Sequence, residues 1–115
     1  MKDNLLRDKS YAFALKVVKT LYPNHYQGNV LLTQLLRSGT SIGANVEEAI
    51  GAQSRKDFTA KLSIAYKEAR ETGYWLKLIS DSGYPVDDGQ LLNDCEELLR
   101  IIGSIQKTIK INDGI

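Results

Sequence analysis

The sequence predicts an all-α chain folded as an antiparallel, up-down-up-down four-helix bundle, and three observations carry that prediction. Apolar residues recur at spacings of three and four in four separate segments, with no period-2 alternation anywhere. The two prolines, Pro23 and Pro85, fall between segments and not within them. The 115 residues suit four helices of ~20 residues, each ~30 Å long, around one core. Residues 1–115 are therefore read as a single domain.

The first helix is expected over residues 3–22. Leu6, Phe13, Val17 and Leu21 share one face, and Tyr11, Leu15, Val18 and Tyr22 form a second stripe beside it. Pro23 stops the helix because its ring cannot continue it and restricts the preceding residue.

The second helix is expected over residues 29–53, with a core stripe of Leu32, Leu35, Leu36, Gly39, Ile42, Val46 and Ala49. Its middle is made of small residues, including Ser38, Gly39, Thr40, Ser41, Gly43 and Ala44. A glycine inside a helix costs roughly 1 kcal/mol against alanine. Close approach of a neighbouring helix at Gly39 or Gly43 is the simplest compensation.

The third helix is expected over residues 55–82, capped by Ser54 with Asp57 three residues on. Phe58, Leu62, Ala65, Ala69, Thr72, Leu76 and Ile79 form its seam. Gly83, Tyr84 and Pro85 end it. The fourth helix is expected over residues 87–111, capped by Asp87 or Asp88. Leu91, Cys95, Leu98, Ile102, Ile105 and Ile109 form its seam, and Lys107 and Lys110 complement the dipole near its end. Short connections make consecutive helices antiparallel.

Net charge is +1, which argues against a dedicated nucleic-acid binder, since those are usually strongly basic. The charges are unevenly placed. Residues 1–70 hold eleven basic and six acidic side chains, and residues 71–100 hold two basic and seven acidic. The single cysteine, Cys95, excludes an internal disulfide framework and suits a reducing compartment. No stretch of ~18 uncharged apolar residues exists to span a membrane, and no apolar run follows the N-terminus as a signal peptide would require. The expected location is cytoplasmic.

Catalytic chemistry is poorly supplied. His25, the one histidine, sits in a loop beside Tyr26 with no nucleophile motif around it. Cys95 falls on the seam of the fourth helix and reads as a small buried hydrophobe. A di-metal carboxylate bundle would use Glu-x-x-His pairs, and Glu47, Glu48, Glu68 and Glu71 are not followed by histidine at that spacing. Solvated ion pairs are the expected role of these glutamates, with Glu47 nearer Lys61 than Glu68. No phosphate-cradling glycine loop is present. No cofactor, metal or small-molecule substrate is expected.

Two features point to binding. Arg55 and Lys56 stand at the start of the third helix, where the dipole disfavours cations but backbone N–H groups suit a phosphate. Arg37 would join them if folding or assembly brings it near. The alternative is a solvated turn. The second feature is surplus aromatic surface: Tyr11 and Tyr22 on the first helix, and Tyr66, Tyr74, Trp75 and Leu78 on the third, all lie off the main seams. Such surface marks an oligomer interface, the alternative being a broadened core.

The strings QLLRSGTSIGANVEEA at 34–49 and DFTAKLSIAYKEARETGYWLKLI at 57–79 resemble the bacterial four-helix bundle family named after the 23S ribosomal RNA intervening-sequence protein. The resemblance runs over almost the whole chain, including residues 10–18, and its most specific segment is RSGTSIGAN at 37–45. It implies a ring-like homopentamer, and it brings no catalytic residues. It also implies a relationship to the accessory variability determinant of diversity-generating retroelements, which binds nucleic acid and works with a reverse transcriptase. That relative is strongly basic, whereas this chain is near neutral. The expectation is a non-enzymatic, self-assembling bundle serving as an RNA-associated scaffold. The alternative is a protein-interaction module without nucleic-acid contact.

Overall fold

The computed structural model describes residues 2–24, 28–84 and 86–113. Four α-helices account for nearly all of them: α1 (Lys2–Leu21), α2 (Val30–Ile50), α3 (Arg55–Asp81) and α4 (Gln90–Asp113), with a 3-10 turn at Tyr22–Asn24 over Pro23. Each helix packs on its neighbours in sequence, and α1 closes the bundle against α4. Cross-helix pairs show every neighbour to be antiparallel. Arg7 meets Glu47 while Val17 meets Gly39. Lys61 meets Glu48 while Thr72 meets Ser38. Ser63 meets Gln106 while Ala69 meets Cys95. Lys9 meets Glu97 while Lys16 meets Asp94.

The predicted seams form the core, with Leu36, Phe58, Ile105 and Ile109 only partly buried at its margin. Leu6, Phe13, Val17 and Leu21 of α1 are buried with Leu35, Ile42 and Val46 of α2, Leu62 and Ile79 of α3, and Leu91, Leu98 and Ile102 of α4. Thr72, expected as an apolar seam position, is fully buried as a polar one. Its Oγ1 lies 3.0 Å from Ser38 Oγ and 2.7 Å from the Glu68 carbonyl. One hydroxyl proton serves one acceptor, so Thr72 donates to the carbonyl and accepts from Ser38.

Helix ends follow local hydrogen bonding. Asn29, expected inside the second helix, instead caps α2 by accepting from Leu32 N–H at 3.0 Å. That helix also ends at Ile50, not 53, because Ser54 must be extended to cap α3, where its Oγ accepts from Asp57 N–H at 3.0 Å. At the other end of α3, Gly83 adopts φ +86, Tyr84 N–H reaches Ile79 O at 3.1 Å, and Gly83 N–H reaches Ser80 O at 3.2 Å. This is a Schellman stop. Pro85 lies outside the described residues.

The last helix starts at Gln90, later than the expected 87, because Gly89 takes φ +96 and breaks helical geometry there. The cap position thus falls on Gly89 and not on Asp87 or Asp88 as expected, but both carboxylates reach the first turn: Asp87 Oδ2 accepts from Leu91 N–H at 2.7 Å, and Asp88 Oδ1 from Gln90 N–H at 3.3 Å. No helix among the described residues is long and apolar enough to cross a membrane.

The small-residue stretch of α2 is where α1 comes closest. A Cβ on Gly39 would sit 3.2 Å from Val17 Cγ2, and one on Gly43 would sit 3.2 Å from the Ser10 carbonyl oxygen. At Gly43 backbone lies against backbone, and at Gly39 the Val17 side chain lies against the helix, a close approach that the two interior glycines suggested.

Candidate nucleic-acid interface

Arg55 and Lys56 form the first turn of α3, immediately after the Ser54 cap, and both are exposed. The cap already takes up part of the helix start. Ser54 Oγ holds Asp57 N–H and Ser54 O holds Phe58 N–H. Asp57 in the same turn offsets part of the charge of Arg55 and Lys56.

Folding does not bring Arg37 to this pair. Its Nη1 lies 3.2 Å from Glu68 Oε1, and its Nη2 contacts Glu71 Oε2. Those glutamates are at least thirteen residues along α3 from Arg55, ~20 Å at helical rise. The guanidinium is therefore committed to two carboxylates, and only assembly of several chains could place it beside Arg55. The hydrogen bond to Glu71 raises the Arg37 pKa above its ordinary value. Glu71 in turn is lowered below the ordinary 4.5, first by the Trp75 indole N–H, which donates to its Oε2 at 2.9 Å, and then by Arg37.

The glutamates considered as metal ligands are all in ion pairs. Glu47 pairs with Arg7 through two hydrogen bonds of 2.5 and 3.2 Å. Lys61 takes Glu48, the neighbour of Glu47, at 2.8 Å. Among the described residues no group of three or more His, Cys, Asp and Glu side chains could hold a metal. His25 and Tyr26 lie outside the described residues. Cys95 is fully buried and its Sγ donates to the Ala69 carbonyl at 3.2 Å. Burial pushes its thiol up to about 12, which leaves it protonated and unreactive at neutral pH.

The six side chains expected at an oligomer interface divide. Tyr66 and Trp75 pack against the core, half-buried, and Leu78 is half-buried. Tyr11, Tyr22 and Tyr74 are exposed, at 69%, 59% and 61%. Leu15 of α1 is exposed between Tyr11 and Tyr22, with Val18 half-buried, so most of that second stripe faces outward as an apolar flank. Tyr74 stands apart on α3, its ring edge-on to Trp75 with centroids 5.2 Å apart and planes at 73°.

Two open grooves complete the surface. One of about 610 Å³ lies at the end of the bundle among Val30, Leu32, Ile79, Tyr84 and Val86. The other, about 410 Å³, runs between Leu5 and Ile101, Ile105 and Ile109 of α4. Both are largely apolar.

No curated protein matches the chain significantly. A solved structure does. It is a protein of unknown function from the S23 ribosomal protein family of Bacteroides thetaiotaomicron, 47% identical, with a TM-score of 0.84 over 93% of this chain and 99% of that one. Residues 2–104 match the family described as 23S rRNA-intervening sequence protein. That match takes in the seams of α1, α2 and α3, the seam of α4 as far as Ile102, the glycine contact of α2 with α1 and the Arg37–Glu71–Trp75 chain, and the 115-residue protein belongs to the 23S rRNA-intervening sequence protein family.

Proposed function

We propose that the chain is a non-enzymatic scaffold that assembles with copies of itself, as a homopentamer, and binds RNA weakly through exposed cations. Assembly is supported by the outward apolar flank of Tyr11, Leu15 and Tyr22. RNA contact is supported by the exposed Arg55–Lys56 pair at a helix start and by the family's name. The buried thiol of Cys95 and the ion-paired glutamates favour a non-catalytic role.

A few phosphate contacts on one chain give micromolar binding or weaker at physiological salt. Copies linked in a ring raise one another's effective concentration. The binding is therefore weak, sequence-tolerant, dependent on the oligomer and steeply reduced by salt. The carrying observation is the exposed cation pair. A gel shift with RNA across a salt series tests it: Arg55→Glu with Lys56→Glu abolishes binding while light scattering shows the oligomer unchanged. Near-neutral net charge favours the second reading, a protein-interaction module. Absence of any RNA binding at low salt would select it.

A further inference from the structure

Three sides of α3 are occupied. Its core side carries Leu62, Ala65, Ala69, Thr72, Leu76 and Ile79. Towards α2, Glu68 and Glu71 are held by Arg37. Towards α4, Tyr66 packs beside Gly103. The remaining side has its own order. Lys67, Arg70, Tyr74 and Lys77 follow at spacings of three, four and three, which sets them in one row along the helix. Lys56 precedes Lys67 by eleven residues, about three turns, and continues the row.

All five side chains are exposed. Among the described residues, none of Lys56, Lys67, Arg70 and Lys77 forms an ion pair, although Arg7, Lys9, Lys16, Arg37 and Lys61 all do. Like charges one turn apart on a helix repel. Glu68 and Glu71, next in sequence to Lys67 and Arg70, are held by Arg37, and the carboxylate that falls on the row, Asp81, stands at its far end one turn beyond Lys77. The row also holds an aromatic ring. Tyr74 makes a T-shaped contact with Trp75, whose indole donates to Glu71, which is paired with Arg37. The phenol therefore stands as a braced platform between Arg70 and Lys77.

We propose that the outer face of α3 is a track for single-stranded nucleic acid, with Lys67, Arg70 and Lys77 contacting phosphates and Tyr74 stacking on a base. A single strand fits this chemistry because its bases are available to stack, and base–aromatic stacking is sequence-tolerant. A duplex hides its bases and gives Tyr74 nothing to hold. An acidic protein would use the cations without needing the ring. The track rests on the RNA-binding reading above and extends the contact from Arg55–Lys56 along the middle of α3.

The probe is a fluorescein-labelled poly-uridine strand, read by anisotropy across a salt series, with a stable RNA duplex and poly-glutamate as comparisons. Lys67→Glu, Arg70→Glu and Lys77→Glu together abolish binding of the strand, while the thermal unfolding of the protein is unchanged because all three side chains are exposed. The corresponding triple alanine lowers the slope of log affinity against log salt by about 2. Tyr74→Ala weakens the single strand about tenfold and leaves duplex binding alone, and Tyr74→Phe restores it. Strand binding that survives the triple reversal but is lost in Arg55→Glu, Lys56→Glu overturns the track and leaves the RNA reading standing. Equal weakening of strand, duplex and poly-glutamate by the triple reversal, with Tyr74→Ala silent, overturns the track in favour of a general acidic partner. No binding of any RNA by the wild-type protein removes both.

Discussion

The carbonyl oxygen of Ser10 on α1 lies 3.2 Å from where a Cβ on Gly43 of α2 would stand. Backbone cannot yield there as a side-chain tip can. Gly43→Leu is expected to cost roughly 1–3 kcal/mol by overpacking, a drop of several degrees in Tm. Gly73→Ala is the control. Its Cβ would meet only Cys95 Sγ, at 3.9 Å, so the better helix former gains up to ~1 kcal/mol. Equal melting of the Gly43→Leu variant and wild type would show that the contact has no packing consequence.

The buried Ser38–Thr72 pair makes a second prediction. Thr72→Val strands the Ser38 hydroxyl in the core and should destabilise by about 1–3 kcal/mol. Adding Ser38→Ala removes the stranded group, so the double variant should be less destabilised than the sum of the two single ones. Strict additivity in chemical denaturation would exclude the coupling.

Glu71 sets a pH response. Its folded pKa is depressed below 4.5, so the stabilisation it brings is present above the unfolded value and is lost as pH falls through the folded one. Arg37 stays charged throughout. Protonation of Glu71 releases the hydrogen bond from Trp75, the chain's one tryptophan. The expected outcome is a fluorescence change centred below pH 4.5 that disappears in Glu71→Gln. A transition retained in that variant would assign it to other carboxylates.

Cys95 should be silent to a thiol reagent at pH 8 in the folded protein and react at once in denaturant, since burial raises its pKa to about 12. Here the sign is opposite to that of Glu71. A thiol raised above its ordinary 9.0 favours the protonated form, so stability declines as pH climbs beyond 9 towards 12. Rapid labelling of native protein would mean that α3 and α4 part readily at Ala69.

Assembly separates two aromatic groups that look alike in sequence. Tyr11→Asp with Leu15→Asp alters exposed positions and should reduce the light-scattering mass from about five chains to one without loss of helicity. Trp75→Asp alters a residue packed on the core and should lower Tm instead. A wild-type monomer at micromolar concentration would defeat the assembly reading.

The helix seams were legible because burial imposes a 3.6-residue period that polar substitutions cannot mimic. Helix ends were less so. The late start of α4 depends on the positive φ of Gly89, and the early end of α2 on the extended backbone of Ser54. Thr72 followed the apolar spacing, and its partner Ser38 looked merely small. Glu47 and Glu48 were read together as ion-paired, and the structure divides them between Arg7 of α1 and Lys61 of α3, a choice that depends on the register of three helices. Arg55 and Lys56 stood out because they defy the dipole. Lys67, Arg70 and Lys77 did not, because a charged row on a helix looks solvated until the ion pairs elsewhere are assigned.

The bundle measures 47 × 23 × 22 Å, and this elongation has a hydrodynamic consequence. The flank of Tyr11, Leu15 and Tyr22 runs parallel to the long axis, so copies joined along it stand side by side like staves. Such an assembly widens while its height stays near that of one chain, and scattering at small angles registers a squat drum. Joining through the apolar groove at the bundle's end would produce a filament-like body about twice as long. The two shapes differ in frictional ratio well before any interface is seen at atomic detail.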